Sequence, residues 1–468
     1  MTHCSPAVTV IDAIMGAGKT TWAFDMMNRT AVEAMFPQSD SALPVDRPRF
    51  IYVTPFLKEI ERVQEECPLL DFREPQKLDE TPKWVHFEWL LKEGHNIATT
   101  HALFPFLSND GVSAIREHGY RLIIDEALST FEVYKSLKIP ELEWLVHIEA
   151  IQVCQWDGRI DWTLDQGSGE LRGHRFDEVK RMAKAGSLFL MDGKCVIWEF
   201  PKKALDAFAE ITVLTYLFEA STLAPFLRSN GYRYQVLGID PATKELKDRD
   251  TINEAAAKKA IRSRLKVYDG SKNRVGAFRD GKGRGSQKFT KRHLDKRFSK
   301  EEQRRLSRSV TKWIERDAGV PSSEVAFTTY KKHRDSLKGP RYIDPECFIP
   351  LNARASNDWK HKRAMIYLAN RYPNPMLKTY IERKGETIDH DLMALSEMLQ
   401  WLWRGCIRVD GGPIMHVFIP SERMRNLLQV WLETDTLSEL YERLGSGYMR
   451  IPKPKINPII SDSYRPHP

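Results

Sequence analysis

The hydrophobic positions of this chain fall into short unbroken apolar runs that end on polar residues, alternating with longer stretches at helical spacing. Residues 8–24, VTVIDAIMGAGKTTWAF, read as a buried strand entering a glycine-rich turn and then a helix. After a Pro/Ser/Asp-rich loop over 37–48, RFIYVTP predicts a strand over 49–55 and FLKEIERVQEE the helix behind it. HNIATTHALF over 95–104, RLIIDEAL over 121–128 and ITVLTYLFEAST over 211–222 predict three more strands, each delivering polar residues at its end. Strands alternating with helices describe an α/β fold with a parallel sheet and crossover helices.

The pattern between 129 and 210 is mixed and reads as an α+β insertion, with Asp192-Gly193 between two apolar runs as a hairpin signal. Around 224–262 the chain turns polar, which places a linker at 229–262 between a first domain, 1–228, and a second, 263–434. In the second half, VAFTTY over 325–330, ECFIPL over 346–351 and IMHVFIP read as strands, and 352–375 as polar at first and then helical. Residues 392–409 read as one continuous helix, and 435–468 as a tail whose proline-rich end is extended or disordered.

The first run carries the most specific chemistry. Residues 13–20 fit the phosphate-loop spacing G-x-x-x-x-G-K-[ST], with Ala13 in place of the first glycine. Gly16, Ala17 and Gly18 turn backbone N–H groups toward one centre, Lys19 reaches a β/γ-phosphate, and Thr20, followed by Thr21, holds Mg²⁺ beside the start of a helix. A plain glycine-rich turn is the alternative. The strand over 121–125 then delivers Asp125, a second ligand for Mg²⁺, and Glu126, a base for the attacking water.

In an open α/β sheet, ligands bind outside the carboxyl ends of the strands, where Thr54, Thr99, Thr100 and His101 fall. Simple helix capping explains such threonines equally well. In the helix over 392–409, Gln400, Arg404 and Arg408 recur every fourth residue and share one stripe. Such a stripe is either a solvated face or a set of guanidinium groups aimed at a γ-phosphate held by the other half.

Composition narrows the class. The 468 residues are 42% hydrophobic and 29% charged, as in ordinary globular proteins, and the net charge of +8 favours a polyanionic partner. The excess is local: 271–312 carries 15 Lys/Arg against 4 Asp/Glu, which is either a solvated loop or a phosphate-backbone contact. Six scattered cysteines show no metal-ligand spacing, and no apolar run spans a membrane, so a reduced, cytoplasmic protein is expected.

Taken in order, AIMGAGKT, IYVTPFLKEI, ATTHALF, LIIDEAL, LTYLFEAST, FIPLNARASN and QWLWRGCIR resemble the superfamily 2 helicase and translocase ATPases, the small phage-encoded DEAD/DEAH-like members in particular. The resemblance implies two RecA-like P-loop NTPase domains in tandem. The insertion would sit in the first domain and the basic segment near the start of the second. ATP and Mg²⁺ would lie in the cleft between them, and a nucleic-acid strand, single-stranded or forked DNA, would cross both. It further implies ATP hydrolysis driving movement along or unwinding of DNA in phage-type replication or recombination, with replication proteins as partners. By position, Lys19, Glu126, Gln400, Arg404 and Arg408 match the family's catalytic set, and Thr54, Thr100, His101, Thr328, Asn352 and Arg354 its strand contacts. The chain departs from the pattern in the wider spacing of its two arginines and in Ser221-Thr222, which lacks the usual central alanine. The adenine-reading element that precedes the first strand of DEAD-box RNA helicases has no counterpart, which favours DNA over RNA.

Overall fold

The computed structural model describes residues 5–36, 48–78, 81–164, 174–278, 287–342, 345–352 and 357–445. Its strands in chain order are β1 Ala7–Asp12, β2 Phe50–Thr54, β3 Ile97–Thr100, β4 Arg121–Asp125, β5 Phe131–Tyr134, β6 Ile151–Val153, β7 Ile160–Trp162 and β8 Leu188–Met191. They continue as β9 Cys195–Glu199, β10 Glu210–Thr215, β11 Tyr234–Ile239, β12 Leu246–Asp248, β13 Leu265–Val267, β14 Val325–Thr328, β15 Ala364–Tyr367 and β16 Met415–Phe418.

Two parallel sheets organise the chain as two RecA-like units in tandem. The first runs β12-β11-β1-β10-β4-β2-β3, parallel throughout except for β12 at one edge. The second runs β13-β16-β15-β14, all parallel. Strands such as β2 and β15 are buried at every position, because helices cover both faces of a parallel sheet. Register carries Asp12 beside Thr215 and Thr54 beside Thr100, so the polar strand ends gather on one edge.

The insertion is an α+β graft: an antiparallel sheet β5-β9-β8 and a β6-β7 ribbon, with helix Asp177–Lys184 between. Its β8-β9 turn has Asp192 at φ 50° and Gly193 at φ 64°, the left-handed pair that a two-residue hairpin demands. A helix from the second half, Pro375–Arg383, docks on this graft. Tyr380 donates to Glu199 Oε2 at 2.6 Å, Lys384 pairs with Glu199 at 2.6 Å, and Arg383 pairs with Asp192 at 2.7 Å.

Four sequence expectations are corrected. Residues 229–262 are no simple linker, since β11 and β12 extend the first sheet; the alternating YQVLGI, only partly buried, lacks the apolar run that marks a central strand. Residues 346–351 form no strand, making only a bridge from Phe348 to Phe327 before Pro350, which has no N–H to donate. Conversely AMIY, read as helical, is β15, because a short all-apolar run carries no period that tells helix from strand. The segment after 434 begins with helix Leu437–Arg443, which buries Leu437 and Leu440; 446–468 lie outside the described residues.

The halves are tied by a buried chain of charges. Asp12, Arg249, Glu254 and Lys258 are each no more than 3% exposed. Arg249 lies 3.7 Å from Asp12 and pairs closely with Glu254, which Lys258 meets at 3.1 Å. Lys258 donates to Thr434 O at 2.9 Å and sits 5.3 Å from the Trp431 ring. Tyr216 donates to Glu254 at 2.9 Å and accepts from Trp431 Nε1 at 2.7 Å. Glu254→Ala strands two buried cations, so a loss of about 3–5 kcal/mol in urea-unfolding stability is expected.

Candidate nucleotide site between the two sheets

The loop after β1 has the geometry that its glycines predict. Gly16 and Gly18 hold φ 84° and 96°, and a Cβ at either would meet nothing within 4 Å, so backbone conformation alone favours glycine there. Gly18 opens helix Lys19–Met35, directing the first N–H groups and Thr20 toward the loop's centre. Lys19 Nζ donates to Ala13 O at 2.7 Å, folding the side chain back over the loop, and burial pulls its pKa down.

Asp125 faces this loop from the end of β4. Its Oδ1 lies 3.5 Å from Thr20 Oγ1, and its Oδ2 accepts from the Tyr52 hydroxyl at 2.8 Å. His101 Nε2 meets Asp125 O at 3.0 Å, fixing the end of β3 to the same spot. Burial, then repulsion from Glu126, pushes the Asp125 carboxyl up to about 7, against the Tyr52 hydrogen bond. No cluster of three or more metal-ligating side chains occurs among the described residues. One hydroxyl and one carboxylate fit a Mg²⁺ ion that keeps several waters and takes its remaining ligands from phosphate.

Glu126 occupies the left-handed region at φ 65°, a conformation that costs on the order of 1 kcal/mol in a residue other than glycine. Its N–H donates to Leu214 O at 2.8 Å, which holds the turn. Burial raises the Glu126 pKa, while Lys19, Arg404 and Arg408 pull it back.

The second sheet supplies those arginines, though not from one helical stripe. Helix His390–Leu402 ends before them, and Arg408 closes a short 3₁₀ turn, Cys406–Arg408. Gly405 marks the break: its backbone is extended, and a Cβ there would lie 2.9 Å from Met415 Sδ and 3.1 Å from Lys362 O, so glycine is what fits against the second sheet. The break buries Arg404 to 5% exposure while Gln400 and Arg408 stay exposed. Burial pulls the Arg404 pKa down to about 10, with Tyr367 and then Glu126 holding it up.

All three line one crevice of about 1590 Å³ with residues 16–21, Asp125 and Glu126. His101 and Asn352, expected on a nucleic-acid path, also open into it. Thr100 is half-buried at the end of β3. Thr54 and Thr328 are wholly buried, and Thr54 Oγ1 accepts from Phe56 N–H at 3.3 Å, a local turn contact rather than a cap of the helix Leu57–Glu66, so neither side chain is open to a nucleic-acid strand. Arg354 lies outside the described residues.

Sequence reasoning missed several supports. Asp12 accepts from the Leu217 and Phe218 N–H groups at 3.0 and 2.9 Å, joining the phosphate loop to the turn after β10. Thr130 N–H donates to Thr222 Oγ1 at 3.0 Å and Thr130 Oγ1 to Thr222 O at 2.7 Å, linking that turn to the segment after Glu126. An acid closing the apolar run VTVID was the available signal for Asp12.

A glycine-rich loop of phosphate-loop spacing on the first of two tandem RecA-like parallel sheets defines the class of protein as α/β. The chain belongs to the YonV family: it is 32% identical over 436 residues to the SPbeta prophage-derived uncharacterized protein YonV of Bacillus subtilis strain 168, covering 91% of this chain and 98% of that one. Residues 259–432 match the family model described as the YonV C-terminal Rossmann-like domain. Among solved structures, S. tokodaii Xpd4 aligns over 91% of this chain and 94% of its own at 12% identity, with a TM-score of 0.44. No helix among the described residues is long and apolar enough to cross a membrane.

Because the Asp125 carboxyl is raised, the folded protein binds its proton more tightly than the unfolded chain does. That contribution to stability is complete below the ordinary value of 3.8 and is lost as pH rises through about 7. In chelator and without nucleotide, Asp125→Asn is expected to melt higher than wild type, by a margin that grows across this window and levels off above it.

Proposed function

We propose that this protein is an ATP-dependent nucleic-acid translocase or helicase of superfamily 2 type. The observation that carries the reading is electrostatic: Glu126 feels Lys19 from its own sheet and Arg404 and Arg408 from the other, across one crevice that all four line. A polyphosphate there meets cations from both halves, and the attacking water meets a carboxylate.

In this reading the residues 16–21 cradle the phosphates, Thr20 and Asp125 hold Mg²⁺, and Lys19 turns from its carbonyl partners to the γ-phosphate. Glu126 aims and deprotonates water, Gln400 contacts the phosphate, and Arg404 or Arg408 neutralises charge that grows in the transition state. Closure of the crevice on ATP and its reopening after hydrolysis move the two halves along a strand held mainly through its backbone. The exposed cations Lys291, Arg292, Lys296, Arg297, Arg304 and Arg308 on the second half support a polyanionic partner. DNA, single-stranded or forked, is the partner proposed, in phage replication or recombination.

A second reading, an ATP-driven nucleic-acid-binding protein that does not separate strands, draws support from helix Pro375–Arg383. Its Tyr380, Lys384 and Arg383 contacts tie the halves together away from the crevice and limit how far they part.

Lys19→Ala is expected to abolish ATP hydrolysis. Arg404→Ala is expected to lower turnover on the order of 10³-fold while ATP still binds; normal turnover would remove the arginine from the mechanism. Hydrolysis measured with and without single-stranded DNA, followed by displacement of a labelled strand from a fork, separates the readings. Stimulation with displacement supports a helicase, and stimulation without it a translocase or the second reading. Absence of hydrolysis sinks both.

A further inference from the structure

The strand order gives the crevice a direction. Asp125 and Glu126 end β4, which lies two strands from β1 on the β10 side, whereas β11 and β12 lie on the other side. A polyphosphate cradled after β1 with its terminal phosphate at Glu126 therefore sends its nucleoside toward β11 and β12.

The β11-β12 turn adds Pro241 and Lys244 to the lining of the crevice, helix Ala255–Arg264 adds Ala257 and Ile261, and the second half adds Trp403. Met15 and Ala17 of the phosphate loop pack against the same apolar cluster as Ala257, Ile261 and Trp403, so the wall is continuous with the cradle. The walls are built firmly. Trp403 is half-buried and braced at 90° against the Trp431 ring, centroids 5.8 Å apart. Arg264 Nη2 donates to Cys406 O at 2.9 Å, clamping the helix to the segment after Trp403. Asp240 accepts from the Ala242 and Thr243 N–H groups at 2.8 and 3.1 Å, shaping the turn.

From this we infer that the slot between Trp403 and helix Ala255–Arg264, beneath the 240–245 turn, receives the planar base of a nucleoside triphosphate. The inference rests on the nucleotide reading of the crevice and extends it to base recognition. An indole fixed by packing offers a flat face at little entropic loss, and small residues opposite leave room for a ring. Lys244 and Asp410 are exposed and Arg264 is engaged by Cys406 O, so stacking and shape supply the grip. A purine, with the larger face, is the base that fits this chemistry.

The test is calorimetric binding of ATP and of inorganic tripolyphosphate, each with Mg²⁺, to the full chain. Trp403→Ala should weaken ATP about tenfold, the scale of one lost stacking contact, and leave tripolyphosphate unchanged. Trp403→Phe should restore most of the affinity. Ala260→Trp, at an exposed crevice position, plugs the slot without touching the core and should give the same selective loss. Unchanged ATP affinity in both Trp403→Ala and Ala260→Trp, or equal loss of both ligands in both, overturns the base slot while leaving the phosphate site standing. Wild-type protein that binds neither ligand overturns the nucleotide reading itself.

Discussion

The neutral chain of buried charges from Asp12 to Lys258 is the constraint on which the crevice depends. Four ionic groups taken out of water are tolerable only because each sign meets its opposite within a few ångströms, and removal of one leaves another uncompensated. Asp12 ends the strand that feeds the phosphate loop, and Lys258 is hydrogen-bonded to Thr434 and stacked on Trp431 in the second half. Well-packed apolar residues could join the halves as strongly. Charges in fixed register impose geometry as well, because displaced ions remain buried and lose their partners.

The site at the crevice is the reverse case, where like charges are held together. Asp125 and Glu126 repel at the end of one strand, and Glu126 sits in a strained backbone conformation. Arg404 is buried beside Tyr367 with its pKa lowered. Each arrangement is unfavourable on its own, and in the proposed reading a metal-bound polyphosphate between the two sets offsets both. Stability given up at such a place is common where function needs groups preset for a ligand.

The insertion acquires a structural role from the docked helix. Glu199 of β9 receives both Tyr380 and Lys384, and Phe131 and Phe189 pack on the Tyr380 ring. Arg228 pairs with Glu386 at 2.7 Å beyond it. Among the described residues the two halves meet at the buried charge chain, the arginine-lined crevice, this graft and the Lys58–Asp358 pair at 2.7 Å.

Local physics made much of this legible in the sequence. The phosphate loop, the Asp125-Glu126 strand end and the Asp192-Gly193 hairpin depend on neighbours within a few residues, and the chain spells them out. Sequence could not decide where a local pattern yields to distant packing. The arginine helix stops at Leu402, and Gly405 just beyond it lies close to Met415 and Lys362, residues outside the helix's own period. β11 and β15 escaped notice because strand identity there comes from pairing with β1 and β14. Thr54 and Thr328 lie at strand ends as expected, yet only the packed structure buries them. Sequence fixes what a residue can do chemically over a turn or a strand; which residues of the two halves face one another is set by long-range packing, since contacts between remote segments leave no period in the chain.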